Sequence, residues 1–130
     1  MLVKLIRKHL FNSIIIKRSM ASIGSSEYSA CVTTVSTDEE ARKLARSIVE
    51  SHLGACVNII PNIRSIYEWK SAIQEDNEFI LMIKTRKEFV PKLIEFVKAN
   101  HSYEVPELIE LPINSGNPDY LKWIDGIVKQ

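Results

Sequence analysis

Residues 55–70, ACVNIIPNIRSIYEWK, form one long strand-like run, and its length limits what the chain can fold into. Extended at about 3.3 Å per residue, the run reaches roughly 50 Å. A domain of about this size has a radius of gyration near 13 Å, hence a diameter of roughly 35 Å. Such a strand overhangs any body the remaining residues can build. Pro61 interrupts the run and predicts a bulge or an edge position, because proline cannot donate to a ladder. The polar stretch SAIQEDNE (71–78) reads as a turn region and FILMIK (79–84) as the next strand, so the overhang is expected to be a long hairpin. Its far end carries Ile66, Tyr67 and Trp69, and an apolar ribbon tip is an association surface. The expectation is an oligomer in which neighbouring hairpins cover one another.

The other segments place the hairpin within a fold. YSACVTTV (28–35) is rich in β-branched residues and precedes two overlapping capping boxes, Ser36 with Glu39 and Thr37 with Glu40. Ala41, Leu44, Ala45, Ile48, Val49 and Leu53 then recur at helical spacing, and Gly54 is expected to end that helix through a positive φ. A second helix is expected after Thr85, with Thr85 and Glu88 as a capping box, although Pro91 favours a start a few residues later. Residues 107–113 (ELIELPI) read as a fourth strand, and Asn117-Pro118-Asp119 opens a last helix burying Leu121, Ile124, Ile127 and Val128. The order βαββαβ plus a terminal helix predicts an α+β, ferredoxin-like sandwich: a four-stranded antiparallel sheet with helices on one face.

The 130 residues are 45% hydrophobic and 25% charged, enough for one core, and residues 27–130 are expected to form a single domain. A net charge of +1 gives no support for a nucleic-acid partner. Residues 1–26 differ: they hold Lys4, Arg7, Lys8, Lys17 and Arg18 and no acid, with Val3, Ile6 and Leu10 on one helical face. This basic arm reads either as an amphipathic transit peptide, implying mitochondria, or as a disordered tail of a cytoplasmic protein. Processing near Arg18, or a start at Met20, would remove most of it. Its longest apolar run, residues 14–16, is far too short for a membrane span.

Reactive chemistry is thinly represented. The four glycines, at 24, 54, 116 and 126, build no phosphate loop, and neither GxSxG nor HExxH occurs. Cys31 and Cys56 lie 25 residues apart in apolar runs without a CxxC pair, which fits a reducing, intracellular compartment. Thiolate and imidazole suit a soft ion such as copper, and the chain offers Cys31, Cys56, His9, His52 and His101, none at zinc-type spacing. The structural alternatives are a buried strand cysteine, a His52 placed by the dipole of its helix, and a His101 that caps the second helix. Lys84, ending a buried-looking strand, must reach solvent, pair, or face a cleft.

Taken together, LGACVNIIPNIRSIYEWKSAI, ILMIKT, HSYEVPELIELPI and GNPDYLKWI make residues 28–128 resemble the CutA family of divalent-cation tolerance proteins. The resemblance implies a ferredoxin-like subunit in a homotrimer held by the long hairpin, similar in architecture to PII signalling proteins. It also implies a link to copper and other divalent ions, no enzymatic activity, and in animal relatives an association with a protein partner. By position it makes Cys56 a candidate copper ligand and places Trp69, Lys84, His101, Tyr103 and Glu104 in an inter-subunit cleft, and Cys56 and His101 are taken as the candidate metal ligands. The chain departs from the family pattern at Ser102, where proline is usual, and at Ser71 and Gln74, where glycine and glutamate are usual. Ser102 is expected to loosen the loop before Tyr103, and Gln74 to remove a hard-ion ligand.

Overall fold

Cys31, Thr33 and Val35 alternate with Ala30, Val32 and Thr34 along β1 (Tyr28–Val35), and this period of two gives the sheet two unlike sides. The computed structural model describes residues 26–129; the basic arm and its targeting reading lie outside the described residues. After β1 come α1 (Asp38–Glu50), β2 (Cys56–Trp69), β3 (Ala72–Arg86), a 3-10 turn (Lys87–Phe89), α2 (Val90–Asn100), β4 (Ile109–Ile113) and α3 (Pro118–Ile127). The sheet order is β2-β3-β1-β4 with every neighbouring pair antiparallel, the ferredoxin-like arrangement expected from the order of elements.

One side of the sheet is sealed. Cys31, Val35, Leu81 and Ile83 pack against Leu44 and Ile48 of α1 and Leu93 and Val97 of α2, all buried. Register places Ala30, Val32, Ile80, Met82, Asn58, Ile60, Ile109 and Leu111 on the other side. Neither α1 nor α2 covers it, and Ile60, Ile109 and Leu111 stand 40%, 52% and 47% exposed. α3 closes one end of the molecule, burying Ile124 and Val128 against Ala55 and Phe89. Asp125 there accepts from the Tyr28 hydroxyl at 2.7 Å and lies 3.5 Å from Arg86.

The termini of the helices follow local chemistry. Thr37 caps α1 by accepting from the Glu40 N–H at 3.1 Å, and Asn117 caps α3 by accepting from Asp119 at 3.0 Å. The other proposed caps differ. Thr85 remains in β3 and donates to the Leu53 carbonyl at 2.7 Å, so the Thr85–Glu88 box does not form; the 3-10 turn intervenes and Pro91 sits in the first turn of α2. α1 ends not at a positive-φ glycine but at His52, with φ 58°; the His52 N–H bonds Val49 and the Leu53 N–H bonds Ile48. Gly54 serves close packing instead, since a Cβ there would lie 2.8 Å from methyl groups of both Ile48 and Ile83.

The hairpin is longer than the sequence implied. Only Lys70 and Ser71 make the turn, with φ of 49° and 64°, the left-handed pair of a two-residue hairpin. The polar stretch 72–78 is therefore strand, paired from Ile63↔Glu78 out to Trp69↔Ala72. Cross-strand polar pairs such as Arg64–Glu75 at 3.3 Å support the ladder there. Between Ile60 and Ile63 the register slips by one residue at Pro61 and Asn62, the bulge that proline predicts.

Gly54→Ala is expected to destabilise the fold by about 1–3 kcal/mol through overpacking. Urea unfolding measures this as a lower midpoint with an unchanged slope, and an unaltered midpoint contradicts the close-packing role.

Candidate functional site

β1 ends at Val35, opposite Phe79, whereas β3 continues out to Ala72. Beyond Phe79, β3 therefore has β2 on one side and, among the described residues, no strand on the other. The loop after α2 fills the resulting notch. Its Tyr103 hydroxyl donates to Glu78 at 2.5 Å, and its Glu104 lies 3.8 Å from Lys70 at the hairpin tip. Loop and hairpin together enclose a cleft of about 600 Å³. Glu78, Tyr67 and Trp69 line it from the hairpin and Tyr103, Glu104 and Glu107 from the loop, with Thr34 at the end of β1.

His101 anchors the loop. Its ring is fully buried, its Nε2–H donates to the Thr34 carbonyl at 2.8 Å, and its Nδ1 accepts from the Tyr103 N–H at 3.0 Å. Both nitrogens are thereby used, and the partners fix the proton on Nε2. Tyr103 packs with its ring centroid 4.7 Å from that of the imidazole. Ser102 does not loosen this segment. Its N–H and hydroxyl both donate to Glu40 at 3.1 and 2.7 Å, and proline could supply neither donor. Partial burial acts to raise the Glu40 pKa, but the Ser102 bonds, neighbouring His101 and Ser36 outweigh it and hold the carboxyl below its usual value.

Burial first, and then the bond to Glu78, pushes the Tyr103 hydroxyl far above the usual tyrosine range. The other three tyrosines are also raised: Tyr28 chiefly by its bond to Asp125, Tyr67 by its bond to Asp76, and Tyr120 by burial and by neighbouring Cys56.

Trp69, Tyr103 and Glu104 thus meet in one cleft of a single subunit, while Lys84 does not join them. It pairs across from Cys56 and donates to Asn58, six residues along β3 from Glu78, or about 20 Å at 3.3 Å per residue. Cys56 and His101 are also apart. The thiol sits at the level of Lys84 and the imidazole bonds at the level of Ile80, a separation of about 13 Å along the strands. Among the described residues no three of His, Cys, Asp and Glu are grouped to hold a metal ion. Within one subunit, then, the candidate ligands do not fit a metal centre. Cys31 is fully buried in the core, where burial, and to a lesser degree Glu110, raises its thiol to about 11. His52 meets the Ile127 carbonyl at 3.1 Å and ties α1 to α3. Reading the sequence missed Glu78 because it fell within the supposed turn; its one signal is the alternation with Ile80, Met82 and Lys84.

The family model described as the CutA1 divalent ion tolerance protein matches residues 29–126. This chain belongs to the CutA1 family. A Xenopus laevis relative named protein CutA homolog is 52% identical over 106 residues, covering 82% of this chain and 70% of its own. A Thermus thermophilus relative named divalent-cation tolerance protein CutA is 50% identical over 91 residues, 70% of this chain and 88% of its own. The chain spans 57% and 54% of the lengths of the Mus musculus and Homo sapiens CutA proteins it matches. Among solved structures, CutA1 from Oryza sativa superposes with a TM-score of 0.76 at 45% identity, covering 81% of this chain and 97% of that one. The T. thermophilus CutA1 structure gives 0.76 at 44% identity, with 78% and 99% covered. Among the described residues no helix is long and apolar enough to cross a membrane.

The partly buried Tyr103 hydroxyl, bonded to Glu78, is expected to make this CutA1-family fold less stable at alkaline pH. A proton held more tightly in the folded state stabilises fully below the unfolded pKa, about 10, and that stability is lost as pH rises through the folded value. Urea midpoints are expected to fall between pH 9 and pH 11. Tyr103→Phe should cost about 1–3 kcal/mol at pH 7 by leaving buried Glu78 without its donor. It should also flatten the alkaline fall; identical slopes in the two proteins contradict the assignment.

Proposed function

We propose that this CutA1-family chain acts as a non-enzymatic homotrimer contributing to tolerance of divalent cations. The observation that carries the assembly is the uncovered side of the sheet. Ile60, Ile109 and Leu111 there, and Ile66 and Ile73 on the overhang, face solvent in the lone subunit. An isolated two-stranded ribbon is marginal in water, so the hairpin needs neighbours. Crossed hairpins would cover both regions, and the family resemblance supplies the number three. A neighbour also offers the cation that the cleft lacks: Lys84, remote from the cleft of its own subunit, is proposed to reach that of the next.

Ion binding, with copper the favoured ion for a thiol, is proposed to require more than one subunit. Cys56 is only partly buried and free, and it would serve as the anchoring ligand. His101 joins only by giving up its bond to Thr34 or Tyr103. A second reading, a PII-like small-ligand sensor or a scaffold for a protein partner, is favoured by the cleft, whose two walls are joined by the Tyr103–Glu78 bond. A native mass spectrum is expected near 45 kDa, three times the 14.9 kDa chain. With copper present, mass should be added in the parent and lost in Cys56→Ala combined with His101→Ala. A 15 kDa species refutes the assembly, and undiminished copper in the double variant refutes the ligand assignment.

A further inference from the structure

Glu40 of α1 does more than its place in a capping box calls for. Its N–H donates to Thr37 as the box predicts, but its carboxylate reaches out of the helix. Oε1 takes both donors of Ser102, 62 residues away, at 3.1 and 2.7 Å, while Oε2 accepts from the Ser36 hydroxyl at 3.3 Å. The side chain is 18% exposed, and Oε1 lies 3.8 Å from Nδ1 of the buried His101. Hydrogen bonds to an ionised acceptor are about twice as strong as neutral ones, so Ser102 is clasped firmly.

The clasp acts on the loop that walls the cleft. His101, Ser102 and Tyr103 are consecutive, and each is tied to a different element: His101 to Thr34 in β1, Ser102 to α1, and Tyr103 to Glu78 in β3. The ties are linked, because the Tyr103 N–H donates to His101 at 3.0 Å. Proline is usual at position 102 in the family pattern, and His101 is already suited to precede it: its φ of −105° and ψ of 145° lie in the extended region that proline imposes on the residue before it. A proline restrains the loop through its own ring, whatever α1 does. Serine has no ring, so in this chain the restraint depends on α1. Glu40 is thereby coupled to the cleft without lining it.

We propose that Glu40 is a positioning residue of the cleft: through Ser102 it holds the turn from His101 to Tyr103 so that the Tyr103 hydroxyl meets Glu78. The cleft is the site of the preceding section, on which this rests, but the clasp lies on the sealed side of the sheet and is present in one subunit or three. Amide exchange at Tyr103 in the full chain, which reports local opening, tests it. Glu40→Ala is expected to quicken that exchange at least tenfold. Glu40→Gln, whose amide oxygen still accepts from both donors, should stay within threefold of the parent. Ser102→Pro should free the loop from Glu40, so that adding Glu40→Ala to it changes the exchange less than twofold. Unaltered exchange in Glu40→Ala overturns the proposal. An equal acceleration at Leu44 and Ile48 also overturns it, because α1 itself would then have loosened, and so does a Glu40→Ala effect undiminished by Ser102→Pro. If Glu40→Ala does not fold, Ser102→Ala, which keeps the amide donor alone, must quicken Tyr103 exchange at least threefold; no change there overturns the proposal too. Native mass on the same samples separates the two claims: a monomer with the expected exchange refutes the trimer and leaves the clasp standing, whereas a trimer without it does the reverse.

Discussion

The ladder between β2 and β3 is the constraint on which the rest of the molecule depends. β1 ends opposite Phe79, so only the inner half of that ladder belongs to the four-stranded sheet, and the outer half continues as a ribbon. The notch beside the ribbon exists because β1 stops, and the loop after α2 fills it. The cleft is a direct consequence. Its floor is ribbon, its wall is loop, and the Tyr103–Glu78 bond joins them.

A second consequence concerns the two sides of the sheet. One side is closed by α1 and α2 and carries the core; the other presents Ile60, Ile109 and Leu111 to solvent. An antiparallel sheet tolerates one solvated side when that side is polar, and here it is largely aliphatic. Apolar ribbon and apolar sheet therefore call for the same cover, which copies of the chain supply most simply.

The fold was legible where a residue has one physical use. Asn117-Pro118-Asp119 opens α3 as cap, first position and acidic first turn, and Pro61 marks the bulge. It was illegible where a residue type has two uses. Residues 72–78 are polar yet pair as a strand out to Ala72, and in composition such a stretch looks the same as a turn. Gly54 looks like a helix stop, yet the left-handed residue is His52 and the glycine makes room for two isoleucine methyl groups. The candidate site was partly legible: Trp69, Tyr103 and Glu104 meet, but Glu78 had no motif, and the grip of Ser102 on Glu40 joins residues 62 apart in sequence. Contacts of that kind arise from the register of the whole sheet, which no local pattern encodes.

The central claim is that the overhanging ribbon is held by other copies of the chain. Amide hydrogen exchange of residues 63–69 tests it most directly. β2 is an edge strand of the sheet, and among the described residues no further strand pairs with its outward N–H groups. In the assembled protein these amides are expected to be protected to the level of β1, and to lose that protection when dilution separates the subunits. Rapid exchange in the assembled protein, at rates near those of an unstructured chain, would contradict the account.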